Sequence, residues 1–143
     1  MDGDSEGRAS AESAVARSKD GDTGARVASV PELAQWIDQP VVLDRLTEML
    51  RDQNVTVMVD AAEALARSGG PAGIRAVLEE IGRSADDPDV DYIMYKLEEL
   101  EALGEVPVLA VARSLDPARE SAEFRAGADE VERYMGHHDP KTS

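Results

Sequence analysis

The sequence predicts an all-α fold: a short α-solenoid of stacked antiparallel helical hairpins, preceded by a flexible N-terminal arm. Of the 143 residues, 42% are hydrophobic but only 3% are aromatic. A core must therefore be built from Ala, Val, Leu, Ile and Met, a mixture that fills helix-helix seams better than a β-sandwich. Apolar residues in the middle of the chain also recur with helical spacing, between Pro and Gly residues that mark helix ends.

The first 29 residues are small and polar, with almost no large apolar side chain. A segment that buries little area does not offset its ordering entropy. We therefore predict a disordered, Gly-, Ser- and Ala-rich acidic arm over residues 1–29. The helical repeat domain is expected over 30–135, followed by a flexible tail over 136–143.

Proline marks the first elements after the arm. Pro31 is expected to open a short segment, in which Trp36 seals the N-terminal end of the stack. Pro40 suits the first position of a helix, where its missing N–H needs no partner. The apolar stripe of that helix is Leu43, Leu46, Thr47 and Leu50.

Capping residues delimit the next two helices. Asn54 is a suitable N-cap, and the pair Gly69-Gly70 ends the helix that follows it. Pro71 then starts another helix. The apolar faces of the two helices are Val55, Met58, Ala62 and Leu65, then Ile74, Val77, Leu78 and Ile81.

Three further helices complete the predicted domain. Asp87 and Pro88 begin a longer helix that Gly104 stops; a short helix covers 106–115, and a final helix over 118–135 serves as a cap on the last apolar stripe. Their apolar faces are Val90, Ile93, Leu97 and Leu100; Val108, Val111, Ala112 and Leu115; and Phe124, Ala128, Val131, Tyr134 and Met135.

These stripes repeat along the chain. The stripe that begins at Ile74 coincides with the one at Val108 after a shift of 34 residues, and with the one at Leu43 after a shift of 31. The helices between them repeat as well, at a shift of 35: Met58, Leu65 and Gly69 fall on Ile93, Leu100 and Gly104. A period of this length with two helices per unit is typical of an α-solenoid.

The stretch DAAEALARSGG over residues 60–70, followed by the Ile74 stripe, resembles HEAT-like repeats of the short bacterial kind related to phycobilisome lyases. The resemblance covers about residues 40–115. It implies a stack of helical hairpins. It leaves the function open, because such repeats serve as scaffolds, lyases, regulators and toxin-neutralising immunity proteins.

The charge balance narrows the class of partner. The chain has a net charge of -15, and residues 30–115 hold 17 acids and only 7 bases. Such a field repels nucleic acid and anionic membranes and attracts basic protein surfaces. We therefore expect a non-catalytic protein-protein interaction module, and specifically an immunity or antitoxin-like protein that neutralises a basic partner. A scaffold or regulatory adaptor that binds through its tails is the alternative; a bilin-lyase-like enzyme is implied by the resemblance alone.

No catalytic or cofactor-binding constellation is visible in the sequence. There is no Cys, no G-x-S-x-G elbow and no Gly-rich phosphate loop followed by Lys. His137 and His138 lie in the predicted tail, where nothing orients them, so we expect no catalytic, cofactor or metal residues. The lack of Cys and of an apolar signal segment favours a cytoplasmic location.

Acidic residues cluster at the start of the helix that is predicted to begin at Asp87. Their spacing is that of a calcium loop, but Tyr92 stands where such a loop requires Gly. We therefore interpret this acidic run as an N-cap with acids placed favourably against the helix dipole. The acids concerned are Asp86, Asp87, Asp89, Asp91 and Glu98.

The predicted partner-binding surface is a mixed-charge strip on the outward face of the helices starting at Pro40, Pro71 and Val106; a plain solvated face is the alternative. An exposed Tyr95 is expected beside it, either as an interface anchor or packed against the terminal helix at Phe124. The predicted contact residues are Asp44, Glu48, Arg75, Glu79, Tyr95, Leu109 and Arg113, with Arg51 and Arg83 on the same strip.

Overall fold

A computed structural model describes residues 2–136 of the chain. This part is all-helical, with eight α-helices, one 3₁₀ turn (Pro117–Arg119) and no strand, which confirms the all-α class. The helices are α1 (Asp2–Arg17), α2 (Thr23–Gln35), α3 (Pro40–Met49), α4 (Val55–Ser68), α5 (Gly70–Arg83), α6 (Val90–Ala102), α7 (Val108–Ser114) and α8 (Ala122–Met135).

Helices α1 and α2 correct the prediction of a disordered arm over residues 1–29. Residues 2–17 and 23–29 are helical, and α1 packs against α2 and α3. Ala11 and Ala14 on α1 are fully buried. Alanine loses no side-chain entropy on burial and has the highest helix propensity, so a helix of small residues can pack closely without large apolar side chains.

Pro31 lies inside α2 rather than at the start of a segment. The helix begins eight residues earlier, at Thr23, because the Asp22 side chain accepts a hydrogen bond from the backbone N–H of Ala25 at 2.9 Å. Trp36 follows the last residue of α2 and is half-buried. A Cβ placed on Gly7 of α1 would lie 3.2 Å from its indole ring, so α1 covers the residue that was expected to seal this end.

The predicted helix ends at Pro40, Asn54 and Gly104 are confirmed, whereas α6 begins at Val90 rather than at Asp87 and Pro88. Pro40 occupies the first turn of α3. The Asn54 side chain accepts from the N–H groups of Thr56 and Val57, and so caps α4. Gly104 follows α6 with a φ of +73°, a left-handed conformation that glycine adopts without steric cost.

Helix α4 lies at the centre of the core, in contact with α2, α3, α5 and α6. It is therefore buried on most sides: its buried residues are Val57, Met58, Ala61, Ala62, Ala64, Leu65 and Ala66. The predicted stripe of α5 is buried in full, from Ile74 to Ile81. On α3, Val42 and Met49 are buried, whereas Leu43 and Thr47 of the predicted stripe are only half-buried. The buried face of α3 differs from the predicted one because α3 also packs against α1.

Helix α8 packs against α5 with almost no space between the two backbones. A Cβ on Gly127 would lie 1.8 Å from the Leu78 carbonyl oxygen, and one on Gly82 would lie 1.9 Å from the Glu123 carbonyl oxygen. Both positions therefore require glycine. Phe124 of α8 is fully buried in the same region.

Alternate helices are in contact along the chain: α2 with α4 and α4 with α6, and likewise α1 with α3, α3 with α5 and α5 with α7. Helix α8 lies on α5 and α7. The side of α6 that bears Tyr92 and Tyr95 remains exposed. Gly136 closes α8; the rest of the predicted tail, including His137 and His138, lies outside the described residues.

Candidate protein-binding site

One predicted contact residue, Leu109, is not on the surface. It is only 5% exposed and belongs to the core. Helix α7 is short and contacts α5, α6 and α8, so its two adjacent faces are both buried. Repeat spacing alone had placed Leu109 on the outward face, because it did not account for the contacts of α7 with three other helices.

The arginines of the predicted strip are held in ion pairs within the protein. Arg75 Nε lies 3.1 Å from Glu120 Oε2. Arg113 donates to both carboxylate oxygens of Glu132, at 2.5 Å and 2.9 Å. Both glutamates come from the C-terminal part of the chain, whose position the repeat did not predict. These cations are therefore largely neutralised by the fold.

The acidic members of the strip remain at the surface to different degrees. Asp44 is exposed, and Glu48 is exposed with Arg45 Nη1 3.4 Å from its carboxylate. Glu79 is half-buried on α5. The strip thus carries acids together with partly exposed arginines that are held in ion pairs, and its role in binding stays a prediction.

A cleft of about 430 Å³ lies near the C-terminal ends of α3 and α5 and the start of α6, and Glu80 is its most buried charged residue, at 4% exposure. Arg51 Nε donates to Glu80 Oε1 at 2.9 Å, and Arg83 Nη1 donates to the same oxygen at 3.1 Å. The Ser84 hydroxyl donates to the other carboxylate oxygen at 2.5 Å. Since the carboxylate has these three donors, the cluster joins α3 to α5 structurally.

The three tyrosines of the chain form one cluster, the tyrosine patch: Tyr92, Tyr95 and Tyr134. The rings of Tyr92 and Tyr95 meet edge to face, with centroids 6.3 Å apart and an interplanar angle of 88°. The Tyr95 and Tyr134 rings are 5.9 Å apart and tilted by 51°. Tyr92 and Tyr95 are 50% and 51% exposed, whereas Tyr134 on α8 is half-buried.

The arrangement is compatible with both interpretations of Tyr95, as an interface anchor and as a residue packed against the terminal helix. Tyr95 does pack against the terminal helix, but at Tyr134 rather than at the buried Phe124. About half of its surface nevertheless stays accessible. Its action as an interface anchor therefore remains a prediction that the geometry permits.

Two carboxylates, Asp91 and Glu98, are close enough to the tyrosine patch to act on Tyr134. Burial, followed by the interaction with Tyr95 and the charges of Glu98 and Asp91, raises the pKa of the Tyr134 phenol. Asp91 and Glu98 take part in no ion pair within the described part of the chain. The patch thus combines exposed aromatic area with unpaired negative charge.

Sequence reasoning found Tyr95 but missed its two partners. Tyr92 precedes it by three residues on the same helix, a spacing that places both on one face, so this signal was available. Tyr134 carried no such signal. It reaches Tyr95 only because α8 packs back along α5, which is a property of the tertiary structure.

The acidic run before α6 has a local structural role. The Asp87 side chain accepts a hydrogen bond from the backbone N–H of Asp89 at 2.9 Å. Asp89 itself occupies the N-cap position without a side-chain capping bond. Among the described residues, no group of three or more His, Asp or Glu side chains is arranged to hold a metal ion.

Comparisons with protein-family models, with curated proteins and with solved structures found no match to this chain. No helix between residues 2 and 136 has both the length and the apolar character needed to cross a membrane.

Proposed function

We propose that this protein is a non-catalytic protein-interaction module that binds a partner with a basic surface. One observation carries the proposal: Tyr92 and Tyr95 are about half exposed, and Asp91 and Glu98, which form no ion pair among the described residues, lie one turn before and one turn after Tyr95 on α6. Tyrosines supply large contact area at low entropy cost and are enriched at interfaces. Unpaired acids steer association with cationic proteins.

The distribution of charge supports the same proposal. Most arginines are engaged with carboxylates of the chain itself, as in the Arg26–Asp52, Arg51–Glu80 and Arg75–Glu120 pairs. The net charge of -15 is therefore presented to solvent mainly as unpaired acids. Such a surface favours a protein partner that is rich in Lys and Arg.

We further propose that the helices form a short α-solenoid of HEAT-like hairpins. Contacts between alternate helices and burial of Leu46, Ile74 and Val108, one residue from each stripe, support this architecture. Within it, an immunity or antitoxin-like role is the specific form we favour, because a basic nuclease-type toxin would present the surface that this chain complements. The alternative, a scaffold or regulatory adaptor, binds through its tails, and it has less support at the N-terminus because residues 2–17 and 23–29 are helical.

The experiment is capture from the native source on the immobilised full chain, at about 50 mM and about 500 mM NaCl, with identification by mass spectrometry. We expect basic proteins that bind at low salt and are released at high salt. The double variant Asp91→Asn/Glu98→Gln should capture less of them, whereas the double variant Glu12→Gln/Asp38→Asn, at exposed positions outside the predicted strip, should match the unmodified chain. Capture that is insensitive to salt, or limited to acidic proteins, contradicts the proposal.

The immunity role has a separate test. A captured basic protein is purified and assayed for nuclease or other toxic activity, with and without excess chain. We expect suppression at equimolar ratio. Stable binding that leaves every such activity unchanged would reject the immunity role and retain the binding module.

A further inference from the structure

We propose that the tyrosine patch receives the guanidinium group of an arginine side chain from a basic protein segment. This inference rests on the proposed function, since it assumes a basic partner, and it names the chemical group that the partner places on Tyr92 and Tyr95. An arginine is favoured over a lysine because the patch offers ring faces and carboxylates side by side.

The geometry of the rings leaves aromatic surface available. In an edge-to-face pair such as Tyr92 and Tyr95, the ring that contributes its edge keeps both faces outside the contact. Both rings are about half exposed. A cation placed over such a face is attracted by the ring quadrupole, and a planar guanidinium also stacks on it.

Two carboxylates share the face of α6 that bears Tyr95. Asp91 precedes Tyr95 by four residues on α6 and Glu98 follows it by three, so both share its side of the helix. Neither carboxylate is engaged by a cation of the described residues. A guanidinium has five donors in a rigid plane and can stack and donate to a carboxylate together.

The one lysine on α6 does not occupy this position. Lys96 Nζ lies 2.7 Å from Glu99 and 3.7 Å from Glu63, so its ammonium is directed to other carboxylates. The aromatic rings and carboxylates of the patch are therefore available to bind a cationic group from a partner. A lysine ammonium from a partner would satisfy them less well, because it is compact, strongly hydrated and cannot stack.

The test compares fluorescently labelled deca-arginine and deca-lysine peptides, which carry equal charge, by anisotropy with the full chain at low salt. We expect deca-arginine to bind about fivefold more tightly, the ratio for a cation-π contribution of about 1 kcal/mol at an exposed site. Tyr95→Leu should reduce deca-arginine affinity to about the deca-lysine level. Tyr95→Phe keeps the ring and should keep the preference.

Two further variants serve as matched controls. Asp91→Asn should weaken the binding of deca-arginine more than that of deca-lysine, whereas Asp38→Asn, at an exposed position just after α2, should leave the ratio of the two affinities unchanged. Val41→Ala removes an exposed apolar side chain from α3 and should also leave it unchanged. Circular dichroism of each variant verifies that the helices are retained.

The outcomes separate the two proposals. Equal affinity of the two peptides, or a preference for arginine that survives Tyr95→Leu, overturns the arginine inference and leaves the binding module standing. If neither peptide binds at low salt, the basic-partner function fails together with the inference.

Discussion

Glu80 shows how one buried side chain holds separate parts of the fold together. It is 4% exposed and accepts hydrogen bonds from Arg51, Arg83 and Ser84. Glu80→Gln keeps the shape and removes the charge that makes these bonds strong. We expect a loss of about 1–2 kcal/mol in the free energy of unfolding, at the low end for a buried pair because the arginines are 57% and 41% exposed.

Urea denaturation measures this loss. The neighbouring substitution Glu79→Gln is the matched control, since Glu79 is half-buried and has no ion pair among the described residues. It should change stability by less than about 0.5 kcal/mol. Equal effects of the two substitutions would show that the Glu80 cluster adds nothing to stability.

Asp60 provides a prediction about pH at the same scale. Burial, and then the charge of Glu63, raises its pKa from the ordinary 3.8, while Lys96 opposes the shift. Folding therefore favours the protonated form. The cost of the charged form appears as the pH rises through 3.8 and is complete above the folded pKa.

Asp60→Asn removes this cost, so we expect the variant to be more stable than the unmodified protein at pH 7. The gain should disappear as the pH falls below the ordinary value of 3.8. Chemical denaturation across this pH range measures the stability gain of Asp60→Asn, with Asp44→Asn at an exposed position as the control. A gain that is independent of pH would exclude the titration of Asp60 as its cause.

At the scale of elements, the contact between α5 and α8 depends on two glycines. Gly127→Ala places a methyl group 1.8 Å from a backbone carbonyl, which no side-chain rotation relieves, so the two helices must separate. Overpacking costs about 1–3 kcal/mol or more and outweighs the gain of up to about 1 kcal/mol from alanine in a helix. Gly21→Ala, with nothing within 4 Å, should cause no loss.

Urea unfolding of both glycine variants provides the comparison. A Gly127→Ala protein as stable as the Gly21→Ala protein would mean that α8 is not held this closely. In the expected case, the tilted contact between Tyr95 and Tyr134 should also weaken, because it depends on the position of α8.

Helix α1 packs against the rest of the protein through small residues, and this packing can be tested by substitution. Ala14 is fully buried and Ala16 is exposed, so a charge introduced at each position acts very differently. Ala14→Glu should displace α1 and expose Trp36, the single tryptophan, with a red shift of its fluorescence emission. Ala16→Glu should leave the emission unchanged. Identical spectra for both variants would contradict the packing of α1 over Trp36.

At the scale of the whole molecule, the net charge of -15 opposes compaction. Raising NaCl from about 10 mM to about 300 mM shortens the screening length several-fold. The internal ion pairs lose little, since exposed pairs contribute about 0–1 kcal/mol each. We therefore expect the thermal midpoint to rise by a few degrees, measured by circular dichroism, with choline chloride as the control for specific sodium binding. A fall in the midpoint would show that the ion pairs outweigh the repulsion.

The sequence by itself determined the helical class, the helix ends marked by Pro40, Asn54 and Gly104, and the buried stripe of α5. These features depend on residues within about one turn of each other, so local patterns are sufficient to predict them. It also indicated an acidic surface and one member of the tyrosine patch, Tyr95.

Only the tertiary structure decided the rest. The folded state of α1, the burial of Leu109, the ion pairs of the predicted strip and the approach of Tyr134 to Tyr95 all depend on contacts between residues far apart in the chain. Small residues give weak local signals, yet they permit the closest helix packing. The position of α8, set by Gly82 and Gly127 against α5, brings Tyr134 to the patch and Glu132 to Arg113.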